Sequence, residues 1–95
     1  MAAEVTRPEE LTEQQTDLLP PFRVILHNDD VNTFEHVIHT ILELTPLKEP
    51  EAVRRTIEAH ESGSALLLVT HKERAELYVE QFATKRLTVT CEPEC

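Results

Sequence analysis

Ninety-five residues make one domain, too short for two independent cores. Eighteen acidic against nine basic residues leave a net charge of −9, which opposes approach to phosphate backbones and anionic lipid surfaces, so neither nucleic acid nor a membrane is an expected partner. With one glycine, no tryptophan and four aromatic residues, the chain can build neither a Gly-rich phosphate loop nor a stacking platform for single strands, and its core must be largely aliphatic.

Residues 1–20 carry Glu4, Glu9, Glu10, Glu13 and Asp17 against a single Arg7, and end at Pro20. So little apolar surface cannot offset the entropy of ordering, so a flexible acidic extension is expected, followed by one domain over residues 21–95. No apolar leader follows Met1 and no run approaches a membrane span, which places the expected location in the cytoplasm. Cys91 and Cys95 would close only a tiny loop and read as free thiols.

From Phe22 the chain alternates through His27 as a short strand, then stops at Asn28-Asp29-Asp30, side chains that favour turns. Asn32 or Thr33 can cap a helix in which Phe34, Val37, Ile38, Ile41, Leu42 and Thr45 recur at helical spacing, and Pro46 ends it. A second helix begins near Pro50, with Val53, Ile57 and His60 as its inward stripe and Gly63 as a left-handed C-cap. Ala65 to Val69 is apolar without alternation, which predicts a strand covered on both faces or central in the sheet. A third helix runs from His71 to Lys85 through Ala75, Tyr78, Val79 and Phe82, and Leu87, Val89 and Cys91 alternate with polar residues in a last strand. The expected fold is α+β, in the order β-α-α-β-α-β, with a three-stranded antiparallel sheet and three helices.

No nucleophile elbow is present, and Cys91 has no predictable base, so nucleophilic catalysis is not expected. His36 and His39 lie three apart on the first helix, a metal-chelating spacing, but no H-E-x-x-H or cysteine pair supplies further ligands. No metal or cofactor is expected, and these histidines read as solvated. The remaining constellation is Asn28, Asp29 and Asp30 before the first helix with His60 on the second. Taken singly they are turn, cap and core residues. If the two helices form a hairpin on the sheet, they converge as an amide oxygen, carboxylates and a neutral imidazole nitrogen, acceptors suited to an ammonium group, beside apolar Phe34, Val37 and Ala59.

The segment Phe22-Arg23-Val24-Ile25-Leu26-His27-Asn28-Asp29-Asp30, followed by His60-Glu61-Ser62-Gly63 and an apolar strand, resembles ClpS, the adaptor family that delivers N-degron substrates to the Clp AAA+ unfoldase and peptidase. The resemblance runs from about Pro21 to Cys91. It implies a monomeric adaptor, not an enzyme, that binds proteins with a free N-terminal Leu, Phe, Tyr or Trp and passes them to the N-terminal domain of a ClpA- or ClpC-type unfoldase. By position, Asn28, Asp30 and His60 would hold the α-ammonium group and Asp29 would fix the loop. Asn32, Phe34, Val37, Thr56, Ala59 and Leu87 would line the pocket for the first side chain, with Phe34 at the gate position where the family most often has Met. Glu73 and Tyr78 would stand at the unfoldase contact, and the N-terminal extension would engage the unfoldase during handover. The same order of elements is also similar to the C-terminal domain of the ribosomal stalk protein, which leaves an interaction domain recruiting other partners as the alternative.

Overall fold

The computed structural model describes residues 20–94, so the expected extension, apart from Pro20, and Cys95 lie outside the described residues. Six elements follow in the expected order: β1 (Phe22–His27), α1 (Phe34–Leu44), α2 (Glu49–Ser62), β2 (Ser64–Thr70), α3 (Lys72–Thr84) and β3 (Val89–Pro93). The sheet is antiparallel throughout, with strand order β2-β1-β3.

Local chemistry explains the boundaries. The Thr33 hydroxyl accepts from the His36 N–H at 3.1 Å and opens α1. At the other end, the Thr45 hydroxyl donates to the Ile41 carbonyl at 2.7 Å just before Pro46. Helix α2 has Pro50 in its first turn, with Glu49 and Glu51 favourable to the dipole, and closes on Gly63 at φ 97°. Its outer face is polar and laced by Glu51–Arg54 at 2.7 Å, Glu51–Arg55 at 3.4 Å and Arg55–Glu58 at 3.5 Å, pairs worth only a few tenths of a kcal/mol each. Its place is therefore set by the face it buries.

That face differs from the predicted stripe. Ala52, Thr56 and Ala59 are buried, whereas Ile57 is 40% exposed and His60 is exposed. A helix offers adjacent stripes one residue apart, and the small one wins here because it lets α2 approach α1 and β2 closely. Thr56 tolerates burial because its hydroxyl donates to the Ala52 carbonyl at 2.8 Å.

The second correction concerns β2, which is an edge strand and not the centre of the sheet. Its burial alternates, and Val69 is 41% exposed. Strand β1 takes the centre, paired on both sides, and the register shift between Val24 and Ile25 leaves Leu67 of β2 as the unopposed residue, buried in the core. Val24, Leu26, Ile41, Tyr78, Phe82, Leu87 and Val89 complete that core with small residues from the helices. The other face of the sheet is more polar: Arg23 pairs with Glu92 at 3.3 Å, and His27 Nε2 bonds Thr90 Oγ1 at 2.8 Å. Among the described residues no helix is long and apolar enough to cross a membrane.

Candidate functional site

The loop between β1 and α1 is organised by one carboxylate. Asp29 Oδ1 accepts from the backbone N–H groups of Val31 at 2.8 Å and Asn32 at 2.7 Å, while Oδ2 accepts from the Asn32 amide at 2.9 Å. These bonds favour the ionised form. The Asn32 backbone N–H acts most strongly, then the Asn32 amide, the Val31 N–H and the charge of His36, and against the opposing effect of desolvation they hold the Asp29 carboxyl below its ordinary value of 3.8. Asp30, one residue on, is exposed. Two adjacent aspartates thus differ: Asp29 builds the loop and Asp30 stands exposed.

Two further bonds tie this region to the turn between α3 and β3. The Asn32 amide also donates to the Arg86 carbonyl at 2.8 Å, and His36 Nε2 donates to the Lys85 carbonyl at 2.8 Å. Carbonyls only accept, so Nε2 of His36 carries the proton. His36 is half-buried and structural, which corrects the expectation of a solvated helix residue. Its partner lies 49 residues away, and nothing in the local pattern announces it.

The loop also meets the end of α2. The Asn28 N–H donates to the Gly63 carbonyl at 3.0 Å, and Gly63 in turn donates to the Ala59 carbonyl at 2.8 Å. Across this junction the rings of Phe34 and His60 stand edge to face, with centroids 5.1 Å apart and planes at 74°. The exposed last turn of α2 carries the negative end of its dipole to the same junction.

Beneath the rim is a hollow of about 20 Å³ lined by Leu26, His27, Asn28, Asp29, Asn32, Phe34, Val37, Thr56 and Ala59. That is room for one water-sized group. Phe34 lies in its wall while remaining 44% exposed, so its ring can swing outward without breaking the core.

Of the residues expected at the pocket, Asn32, Phe34, Val37, Thr56 and Ala59 line this hollow, and Asn28 and Asp29 join them. Asp30 and His60 stay outside the lining, His60 held at the rim against Phe34. Leu87 is buried in the core, where its N–H donates to the Phe82 carbonyl, and is not among the residues that line this hollow. Leu26 and His27 line it unforeseen, although their position immediately before the loop was a usable signal. Glu73 is exposed in the first turn of α3. Tyr78 is 3% exposed and packs into the core beneath Arg74, so its ring is not available as a surface contact. Among the described residues no three His, Cys, Asp or Glu side chains gather as a metal site would require.

Comparison with known proteins gives a consistent picture. Residues 18–90 match the family model described as ATP-dependent Clp protease adaptor protein ClpS. The ATP-dependent Clp protease adapter protein ClpS of Synechococcus elongatus is 38% identical over 96 residues, covering 99% of each chain. That of Synechococcus sp. strain CC9902 is 42% identical over 76 residues, covering 79% of this chain and 73% of the relative. Among solved structures, Agrobacterium tumefaciens ClpS2 bound to L-phenylalaninamide is similar with a TM-score of 0.74 and 28% identity, covering 79% of this chain and 98% of that one.

Proposed function

This chain belongs to the ClpS family of ATP-dependent Clp protease adaptors, and we propose that it acts by binding proteins through a free hydrophobic N-terminal residue. It is an adaptor, not an enzyme. The observation that carries the reading is the junction of the β1–α1 loop with the end of α2, where Asn28 meets Gly63 and Phe34 meets His60 at a small hollow partly lined by apolar Leu26, Phe34, Val37 and Ala59. An α-ammonium group presents three donors and one charge; the Asn28 amide oxygen, the Asp30 carboxylate and the His60 ring are the acceptors that this reading assigns to them. The first side chain enters where Phe34 stands, displacing its ring from a hollow that otherwise holds one small group. The bound ligand of the Agrobacterium relative, an amino-acid amide with a free α-amino group and an aromatic side chain, has the same two features.

The energetics suit an adaptor. Burying one Leu or Phe side chain contributes roughly 1.5–3 kcal/mol, and each hydrogen bond to a charged group roughly 1.5–3 kcal/mol. Against an association cost of about 4–15 kcal/mol, one side chain and three such bonds leave at best about 8 kcal/mol, so micromolar affinity is the favourable limit, tight enough to capture and weak enough to release. An acetylated terminus keeps the side chain but loses the charge and two donors, leaving acceptors without partners, so it is refused.

Cargo then passes to the N-terminal domain of a ClpA- or ClpC-type AAA+ unfoldase, with exposed Glu73 on α3 as a docking residue and residues 1–20 engaging the unfoldase during transfer. The chain acts as a cytoplasmic monomer. Fluorescence anisotropy with ten-residue peptides beginning with Phe, Leu, Tyr, Trp or Arg tests the recognition step. Micromolar binding confined to the free hydrophobic termini and abolished by acetylation is expected. Equal binding of the acetylated copy, or none of either, would overturn it.

A further inference from the structure

A second hollow, of about 330 Å³ and open to solvent, is lined by Asn32, His36, Thr84, Lys85 and Arg86. Asn32 forms a wall of both hollows. We propose that this second hollow is a subsite for an acidic side chain at the second or third position of the bound peptide, a specificity that rests on the first hollow taking the N-terminal residue. An extended chain advances about 3.3 Å per residue, so a peptide anchored on one side of Asn32 reaches the other within one or two residues.

The chemistry of the lining selects the charge. Two basic residues, Lys85 and Arg86, line this hollow on a protein whose net charge is −9. Lys85 is partly neutralised by Glu43 at 3.5 Å, which leaves Arg86 as the principal cation, able to grip a carboxylate with a planar pair of donors. The nearby carboxylate of Asp29 is occupied by its three loop bonds. The turn that carries Arg86 is also fixed before any ligand arrives. Arg86 sits at φ 66°, the only non-glycine residue with positive φ among those described, and its carbonyl is fixed by the Asn32 amide. The adjoining Arg86 and Leu87 N–H groups donate to the carbonyls of Ala83 and Phe82, each at 3.0 Å. A left-handed arginine costs conformational energy, and the clamp that maintains it also builds the wall between the hollows.

The test uses anisotropy at low ionic strength with three Phe-initiated ten-residue peptides: one neutral after the first residue, one with Glu at position two or three, and one with the same Glu at position eight. The proximal Glu peptide should bind about two- to fivefold more tightly than its distal isomer, the range of a partly exposed ion pair. Arg86→Gln should remove this advantage while leaving the neutral peptide unchanged, and Arg86→Lys should retain part of it. Equal affinity of the two isomers, or an advantage that survives Arg86→Gln, would overturn the subsite while the neutral peptide still reports an intact first hollow. Failure of the neutral free-terminus peptide to bind would instead overturn the N-terminal reading, and the subsite with it.

Discussion

On one side of Asn32 apolar Leu26, Phe34, Val37 and Ala59 share the wall with His27, Asn28, Asp29 and Thr56 around about 20 Å³; on the other the wall is built from His36, Thr84, Lys85 and Arg86, and about 330 Å³ stands open to water. On the proposed reading the first arrangement would select by shape and desolvation, where an unmatched acceptor carries a large penalty and salt has little influence. The second would select by charge in a screened environment, where each contact is worth little and falls further as salt is added. A single asparagine separates a strong, discriminating contact from a weak, adjustable one. The Asp29 bonds that hold Asn32 are therefore central to both.

The largest effect should come from the rim of the first hollow. Asp30→Ala should lower the affinity for a free Phe-terminal peptide by at least about tenfold, with an unchanged melting temperature because Asp30 is exposed. A comparable loss of folding stability would instead place Asp30 with Asp29 as a loop-building residue.

Removing the dividing wall should affect both sides. Asn32→Ala breaks the amide bonds to Asp29 and Arg86, and should lower unfolding stability by about 1–2 kcal/mol in urea titrations while weakening binding of every peptide. An unchanged denaturation midpoint would show that the two hollows are held apart by something other than this amide.

Phe34→Ala should open the small hollow without unfolding the chain. Its expected signature is a few-fold shift in preference toward larger N-terminal side chains, read from paired Leu and Trp peptides. An unaltered Leu-to-Trp ratio would exclude Phe34 as the gate.

The smallest effect should be a pH dependence. Because Asp29 has a lower pKa folded than unfolded, its contribution is complete above the unfolded value, near 3.8, and fades as pH falls through the lower folded value. Thermal melts of Asp29→Asn between pH 3 and 7 should therefore be lower than wild type at neutral pH and converge with it in the acid range. Parallel curves would assign the loop's stability to the neutral bonds of Asn32.

Much of the architecture was legible in one dimension. Alternation marked β1, helical spacing with a cap at Asn32 or Thr33 and a stop at Pro46 bounded α1, and the single glycine marked the end of α2. These are local signals, each set by backbone preference within a few residues. Asn28, Asp29, Asp30 and His60 were conspicuous for the same reason, as short polar side chains next to apolar stripes. The apolar run in β2 misled because hydrophobicity reports how much surface can be buried, not on which side of β1 the strand will pair. The stripe of α2 misled because Ala52, Thr56 and Ala59 carry little apolar signal yet pack more closely than Val53 and Ile57.

Order of elements, turn chemistry before α1, acidic character and the resemblance to a family can be read from the residues in one dimension. Packing in three dimensions is what makes β1 central, puts His60 at a rim and not in the core, turns Leu87 and Tyr78 inward, and lets His36 and Asn32 reach across 49 and 54 residues to the carbonyls of Lys85 and Arg86. The division follows the range of the forces. Caps, turns and periodicity act between neighbours in sequence, whereas strand order, close packing of small side chains and the pairing of distant polar groups exist only after the chain has closed on itself.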